Sequence, residues 1–174
     1  MTEEKKEPGR TSPRVVAVNR GAEQADGRIP RRGPRHDALD AWIGRWINEG
    51  HMIEADGTHG APITTSDVYE WAVGGFFVLH TAYGRIGDLP VGGTEIIGYD
   101  ETTGTYTSHF YDSQGNITLS TLTADGDTWT YQGETTRSTV HFTDDHRVQA
   151  VLHERTDDGR TYNPSMRVTL TKIA

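Results

Sequence analysis

The chain contains no cysteine. Disulfides, thiolate metal sites and a cysteine nucleophile are therefore excluded together, while nothing about compartment follows. No apolar run approaches the roughly 20 residues that a membrane-crossing helix needs. Hydrophobic residues make up 33% of 174. That is low for a densely packed α/β enzyme and sufficient for one small barrel with a polar exterior. The charged start, Met1-Thr2-Glu3-Glu4-Lys5-Lys6, has no apolar segment behind it. It does not read as a secretory signal, so a cytoplasmic location is expected. No helical period of useful length follows residue 46. The sequence has no Gly-x-Ser-x-Gly elbow, phosphate loop or dinucleotide fingerprint. Its eight histidines, at 36, 51, 59, 80, 109, 141, 146 and 153, form no compact ligand set. Neither a metal nor another cofactor is expected.

Charge is split along the chain. Residues 1–36 carry nine Lys/Arg and five Asp/Glu, a net +4, and the remainder carries a net −12. An acidic body argues against nucleic acid, because phosphate attraction needs clustered positive charge. Residues 1–35 are rich in Pro, Gly, Arg and Glu, with Val15-Val16-Ala17-Val18 as their apolar stretch. This composition predicts a flexible basic tail at 1–35 and a folded domain at 36–174. The tail could fold back as a lid on the acidic domain or remain a solvated leader.

What the sequence does have is one turn pattern, repeated. Thr102-Thr103-Gly104, Ser113-Gln114-Gly115, Ala124-Asp125-Gly126 and Asp157-Asp158-Gly159 each sit between β-prone runs. A triplet ending in Gly suits a three-residue hairpin loop, whose last residue takes a positive φ. Consecutive hairpins make an antiparallel meander. The runs predict about ten strands: 46–55, 63–71, 76–83, 94–99, 105–111, 117–122, 128–132, 139–142, 147–155 and 161–173. The fold class is all-β, an antiparallel up-and-down barrel. Asp37 is the expected N-cap of a short helix carrying Leu39, Trp42 and Ile43, which would plug one end.

Loop length decides which side chains share a face. Three-residue loops pair Glu101 with Thr105, Asp112 with Asn116, and Thr123 with Asp127. The odd-numbered residues Glu95, Ile97, Tyr99, Thr107, His109, Tyr111, Ile117, Leu119, Thr121, Trp129 and Tyr131 then lie together, and their bulk places them inward. A two-residue loop at Asp125-Gly126 would move Trp129 and Tyr131 to the even face. In the last hairpin, pairing Thr156 with Arg160 aligns Val148, Ala150 and Leu152 with Met166, Val168 and Leu170 as the inner face. His153 and Arg155 then point to solvent or to a partner.

Five stretches stand out in order: Leu39-Asp40-Ala41-Trp42-Ile43-Gly44-Arg45-Trp46, Glu49-Gly50, Glu70-Trp71-Ala72-Val73-Gly74-Gly75-Phe76-Phe77, Gly98-Tyr99-Asp100 and Tyr111-Asp112-Ser113-Gln114-Gly115. Together they resemble the DUF1579-type proteins, related to the calycin-like barrels (lipocalins, fatty-acid-binding proteins, nitrobindins). The resemblance implies a barrel of eight to ten strands with an internal pocket, and it carries over no catalytic residues. Nitrobindin-like barrels bind haem through a His near the C-terminus. The segment Met166 to Ile173 has no His.

The expected ligand-binding residues are Trp46, Trp71, His80, Ile97, His109, Tyr111, Ile117, Leu119, Trp129, Tyr131, Met166 and Val168. An aromatic interior suits a small, largely apolar or polycyclic ligand. A cofactor-free cyclase or isomerase working in the same cavity is the alternative, with His109, Tyr111 and Glu95 as its proton-transfer set. A purely structural role would need a barrel filled by side chains. No nucleic-acid or membrane partner is expected, and pairing with a second copy stays open.

Overall fold

Ten strands follow one short helical plug. The computed structural model describes residues 31–143 and 145–174. The tail stretch Val15-Val16-Ala17-Val18, and the lid it suggested, lie outside the described residues. Helix α1 is Pro34–Asp37, and a 3-10 turn, Ala38–Ala41, continues it. The strands are β1 Gly44–Ile53, β2 His59–Trp71, β3 Phe77–Ile86, β4 Leu89–Asp100 and β5 Thr105–Asp112. They continue with β6 Ile117–Asp125, β7 Thr128–Gln132, β8 Thr136–Thr143, β9 Val148–Arg155 and β10 Asn163–Lys172. Each strand pairs antiparallel with its chain neighbours, and β1 also pairs with β10, which closes the barrel. Closure removes the free edges on which sheets aggregate. Among the described residues no helix is long and apolar enough to cross a membrane.

The helix begins a turn earlier than the sequence suggested. Gly33 is the N-cap and Pro34 is the first helical residue, where its fixed φ fits and its missing N–H costs nothing. Asp37 thus ends α1 and stands at the N-cap position of the 3-10 turn that carries Leu39, without a side-chain capping bond. The plug carries Leu39 and Trp42, both buried. The Trp42 ring meets those of Tyr69, Trp129, Tyr131 and Phe142. Its carbonyl accepts a hydrogen bond from Trp46 Nε1 at 2.9 Å. Arg32, just before the helix, lies 4.3 Å from the Trp71 ring. Trp71 donates to Asp40 at 2.9 Å, so it ties the plug to the rim.

Turn length departs from expectation at two of the first three hairpins. Asp100 pairs with Thr105, leaving a four-residue loop. The Asp100 side chain accepts from Thr102 N at 2.8 Å and its carbonyl from Gly104 N at 2.8 Å, which draws one more residue into the turn. Asp112 and Asn116 do enclose a three-residue loop, with Gly115 at φ +87°. Asp125 pairs with Thr128 around the two-residue loop Gly126-Asp127. Each departure reverses the alternation of in and out, so the two cancel. On β4 and β7 the odd residues still point in: Glu95, Ile97, Tyr99, Trp129 and Tyr131. On β5 and β6 the even residues take the interior, with Tyr106, Ser108 and Leu122 buried. His109, Tyr111, Ile117 and Leu119 are exposed on the outer wall, contrary to expectation. Thr107 and Thr121 share that outer face.

The last hairpin is also corrected. Arg155 pairs with Asn163, and the connecting loop is held by Asp158, which accepts from Arg160 N, Thr161 N and Thr156 Oγ1. Those bonds hold the Asp158 carboxyl down at about 2. A further register shift falls between Pro164 and Met166. Val151 therefore meets Val168 and Gln149 meets Leu170. Val148, Ala150 and Leu152 take the outer face, and His153 turns inward opposite Met166.

Two substitutions test this packing. Trp42→Ala should destabilise the barrel by about 3–5 kcal/mol, the usual cost of deleting a buried aromatic. A Cβ at Gly50 would press on the Arg167 carbonyl and the Val168 backbone of β10. Gly50→Ala should therefore cost about 1–3 kcal/mol, as overpacking does. Chemical denaturation of both variants measures the two losses.

Candidate functional site

Inside the barrel, four neighbouring strands bring polar side chains to one belt. The registers set Tyr69 opposite His80 and His80 opposite Glu95. Asp67 lies one inward position before Tyr69 on β2, and Ser108 comes from β5. His80 Nε2 is 2.9 Å from Asp67 Oδ1, and His80 Nδ1 is 2.8 Å from Glu95 Oε2. Thr65 donates to the other Asp67 oxygen at 2.6 Å. Ser108 donates to Glu95 Oε1. All five side chains are buried.

A carboxylate offers no proton, so both ring nitrogens of His80 must donate. The ring is then an imidazolium. Burial opposes that charge, but the hydrogen bonds His80 donates to Asp67 and Glu95, and the charges of those two groups, win, and the His80 pKa rises to about 9. Tyr69 stacks on the imidazolium, 3.8 Å between centroids and 6° from parallel. A cation against an aromatic face is attractive, and more so when water is excluded.

Other strands face the same belt. Burial pushes the Tyr131 hydroxyl well above its ordinary value, and the Glu95 charge adds to it. Burial and the two carboxylates, Glu95 and Asp67, do the same to Tyr69. His153 bonds Ser138 Oγ through Nδ1 at 2.7 Å. Burial holds its pKa down at about 4, against a weaker pull from Glu95. One barrel therefore contains a charged histidine and a neutral one. Two amides flank Leu170, Asn48 on β1 and Gln149 on β9. Asn48 Oδ1 and Gln149 Nε2 are buried without a hydrogen-bond partner among the described residues. Buried polar atoms are seldom left so, and each can bond a guest or a water.

The belt divides two unlike ends. Towards the plug the inward side chains are Trp46, Val78, Ile97, Tyr106, Leu122, Trp129, Phe142 and Leu170, all buried. At the far end Met52, Phe110, Ser120, Ser138, His153 and Met166 keep accessible surface, while Ile63 is buried. The plug covers one end, and the partly accessible inward side chains lie at the opposite one.

Of the expected site residues, the structure brings His80 and Glu95 into direct contact. Trp46, Ile97, Trp129 and Val168 lie in the sealed apolar end, Tyr131 beside the belt and Met166 at the mouth. Trp71 serves the rim. His109, Tyr111, Ile117 and Leu119 are outside the barrel, so His109 and Tyr111 do not share a site with Glu95. Asp67 and His153 were missed. An acidic residue in the alternating stripe Ile63, Thr65, Asp67, Tyr69 was a readable signal for the first. His153 was hidden by the loop length.

Among the described residues no group of three or more His, Cys, Asp and Glu is arranged to hold a metal ion. β10 has no histidine to ligate a haem, and both His80 nitrogens are spent on carboxylates. A separate crevice of about 240 Å³ lies between the β6–β7 and β8–β9 turns, lined by Asp127, Phe142, Thr143, Asp145 and His146. It is a surface feature between turns, apart from the belt.

The two histidines predict the pH profile of stability. The folded pKa of His80 lies above the ordinary 6.5, so its contribution is full below 6.5 and is lost as pH rises through about 9. The folded pKa of His153 lies below 6.5, so its contribution is full above 6.5 and is lost as pH falls through about 4. The melting temperature should peak near pH 6.5. His80→Gln should flatten the alkaline limb, and His153→Gln the acidic one. Thermal melts from pH 4 to 9.5 measure both limbs.

No curated protein matches the chain. A crystal structure, that of Rv2717c from M. tuberculosis, is similar in fold, with a TM-score of 0.60 at 14% identity. The match covers 83% of this chain and 100% of that one. The family model described as a protein of unknown function (DUF1579) matches residues 31–172. With most of its length matched, and a closed ten-strand barrel built on that length, the chain belongs to the DUF1579 family.

Proposed function

We propose that the barrel binds one small molecule, with a largely apolar body and one polar head, entering opposite the plug. The observation that carries this reading is the buried Asp67–His80–Glu95 cluster, with partly accessible inward side chains at the end opposite the plug. A buried ion cluster is weak support for stability, since apolar residues of the same volume do as well or better. Perturbed titratable groups in an enclosed site mark a candidate functional site. Met52, Phe110 and Met166 supply apolar contact near the mouth. The carboxylates have lone pairs beyond those His80, Thr65 and Ser108 use, and the Tyr131 hydroxyl and the unpartnered amides add donors and acceptors. A head group carrying a hydroxyl or amine suits this floor.

A second reading is favoured by one observation. Glu95 is coupled to a cationic His80, to Tyr131 and to His153, which is the makings of proton transfer on a confined substrate. A cofactor-free isomerase or cyclase would use Glu95, not His109, as its central group.

Nile red, a neutral polycyclic fluorophore, tests the binding reading. Its emission should rise saturably at one site per chain. Met52→Trp with Met166→Trp should weaken that binding at least tenfold with little change in melting temperature, and Leu119→Lys on the outer wall should leave it unchanged. Binding that survives the mouth variant but is lost with Leu119→Lys would move the site to the outer wall and sink the proposal. So would a lack of saturable binding by Nile red and by amine-bearing polycycles. For the second reading, Glu95→Gln should leave binding within threefold and lower turnover at least a hundredfold.

A further inference from the structure

The side chains that loop length turned outwards form a surface of their own. Ile96, His109 and Leu119 are cross-strand partners in one row of the outer wall, and Thr94, Tyr111 and Ile117 in the next. Ile117 is 62% exposed, Leu119 57%, Tyr111 43% and Ile96 39%. Tyr83 on β3, 64% exposed, extends the patch. On the outward positions of β3, β4, β5 and β6 the charged residues are Arg85, next to the last of β3, and Asp100 and Asp125, the last of β4 and β6, so charge is confined to the rim of this face. Elsewhere the wall is charged, with Arg45 and Glu49 on β1, Glu70 on β2 and Arg167 on β10.

We propose that this face of β3–β6 is a homodimer interface. Its five apolar residues expose on the order of 500 Å², at the upper end of what a monomer shows as one patch. With the intervening threonines and His109 the face approaches the roughly 800 Å² per partner of a standard interface. Charge selects the occupant. The chain carries −8, and a second copy carries the same. A face whose charges stand at its rim is where two like-charged bodies can touch without burying unpaired charge. Its centre offers no charge with which to choose an acidic or basic partner. A two-fold pairing needs a self-complementary patch, and a regular antiparallel face of Ile, Leu and Tyr is one. The barrel is closed, so the copies meet face to face, as stacked sheets do, not by adding strand to strand. The inference is independent of what the interior binds.

Sedimentation velocity on the full chain from 1 to 100 µM is the test. The expected result is a concentration-dependent shift from the 19.3 kDa monomer to twice that mass. Leu119→Lys and Ile117→Lys should each weaken dimerisation at least a hundredfold. Thr169→Lys, on the outer face of β10, should leave it unchanged. Thermal melts confirm that each variant is folded. A wild-type chain that stays monomeric through 100 µM overturns the proposal, as does a Leu119→Lys variant that sediments like wild type. A monomer that floats with neutral phosphatidylcholine vesicles would give the face to lipid, and it too overturns the dimer.

Discussion

The imidazolium of His80, fixed at both nitrogens by carboxylates, ties four strands to one register. Asp67 reaches it from β2, Glu95 from β4, and Ser108 from β5 through Glu95. A slip of one residue in any of these strands would send a charge through the wall and bring its neighbour inside. An apolar core tolerates exchanges among similar residues, but a bonded cluster of unlike groups is satisfied in one arrangement only. The belt costs desolvation, and in return it specifies which pairing of ten similar, threonine-rich strands is native.

The apolar end complements the belt. Trp42 closes the barrel with a ring among four other rings, of which Tyr69, Trp129 and Phe142 are buried and Tyr131 is partly so. Most of the burial that offsets chain entropy lies there. The mouth, by contrast, is lined by side chains that remain partly accessible. Apolar burial is concentrated at one end, and the inward side chains of the other are more polar and more accessible.

Strand order, strand number and the plug were legible in the sequence, because alternating β-prone runs and Gly-terminated turns are local signals. The inner face was legible on β4 and β7 and reversed on β5 and β6. Its parity depends on loop length to a single residue, and the Asp100 side chain set one length and the Gly126-Asp127 turn another. The site suffered in proportion. Glu95 and His80 could be named as separate residues, but their contact depends on pairing across strands. Asp67 stood in an inward stripe as a charge among apolar neighbours, and that anomaly was the available clue. His153 was out of reach, since a long loop and a bulge both precede its partner Met166.

The pairing of β1 with β10 also bears on how the chain comes into being. A meander can form hairpin by hairpin as it leaves the ribosome, each strand meeting the one just made. Its first strand nevertheless waits for the last. Until residues 163–172 emerge, β1 and the newest strand both present open edges, and the interior is unsealed. Every nascent barrel therefore passes through a stage with two exposed edges and a largely apolar wall, and it is then that the chain is most open to pairing with the wrong neighbour.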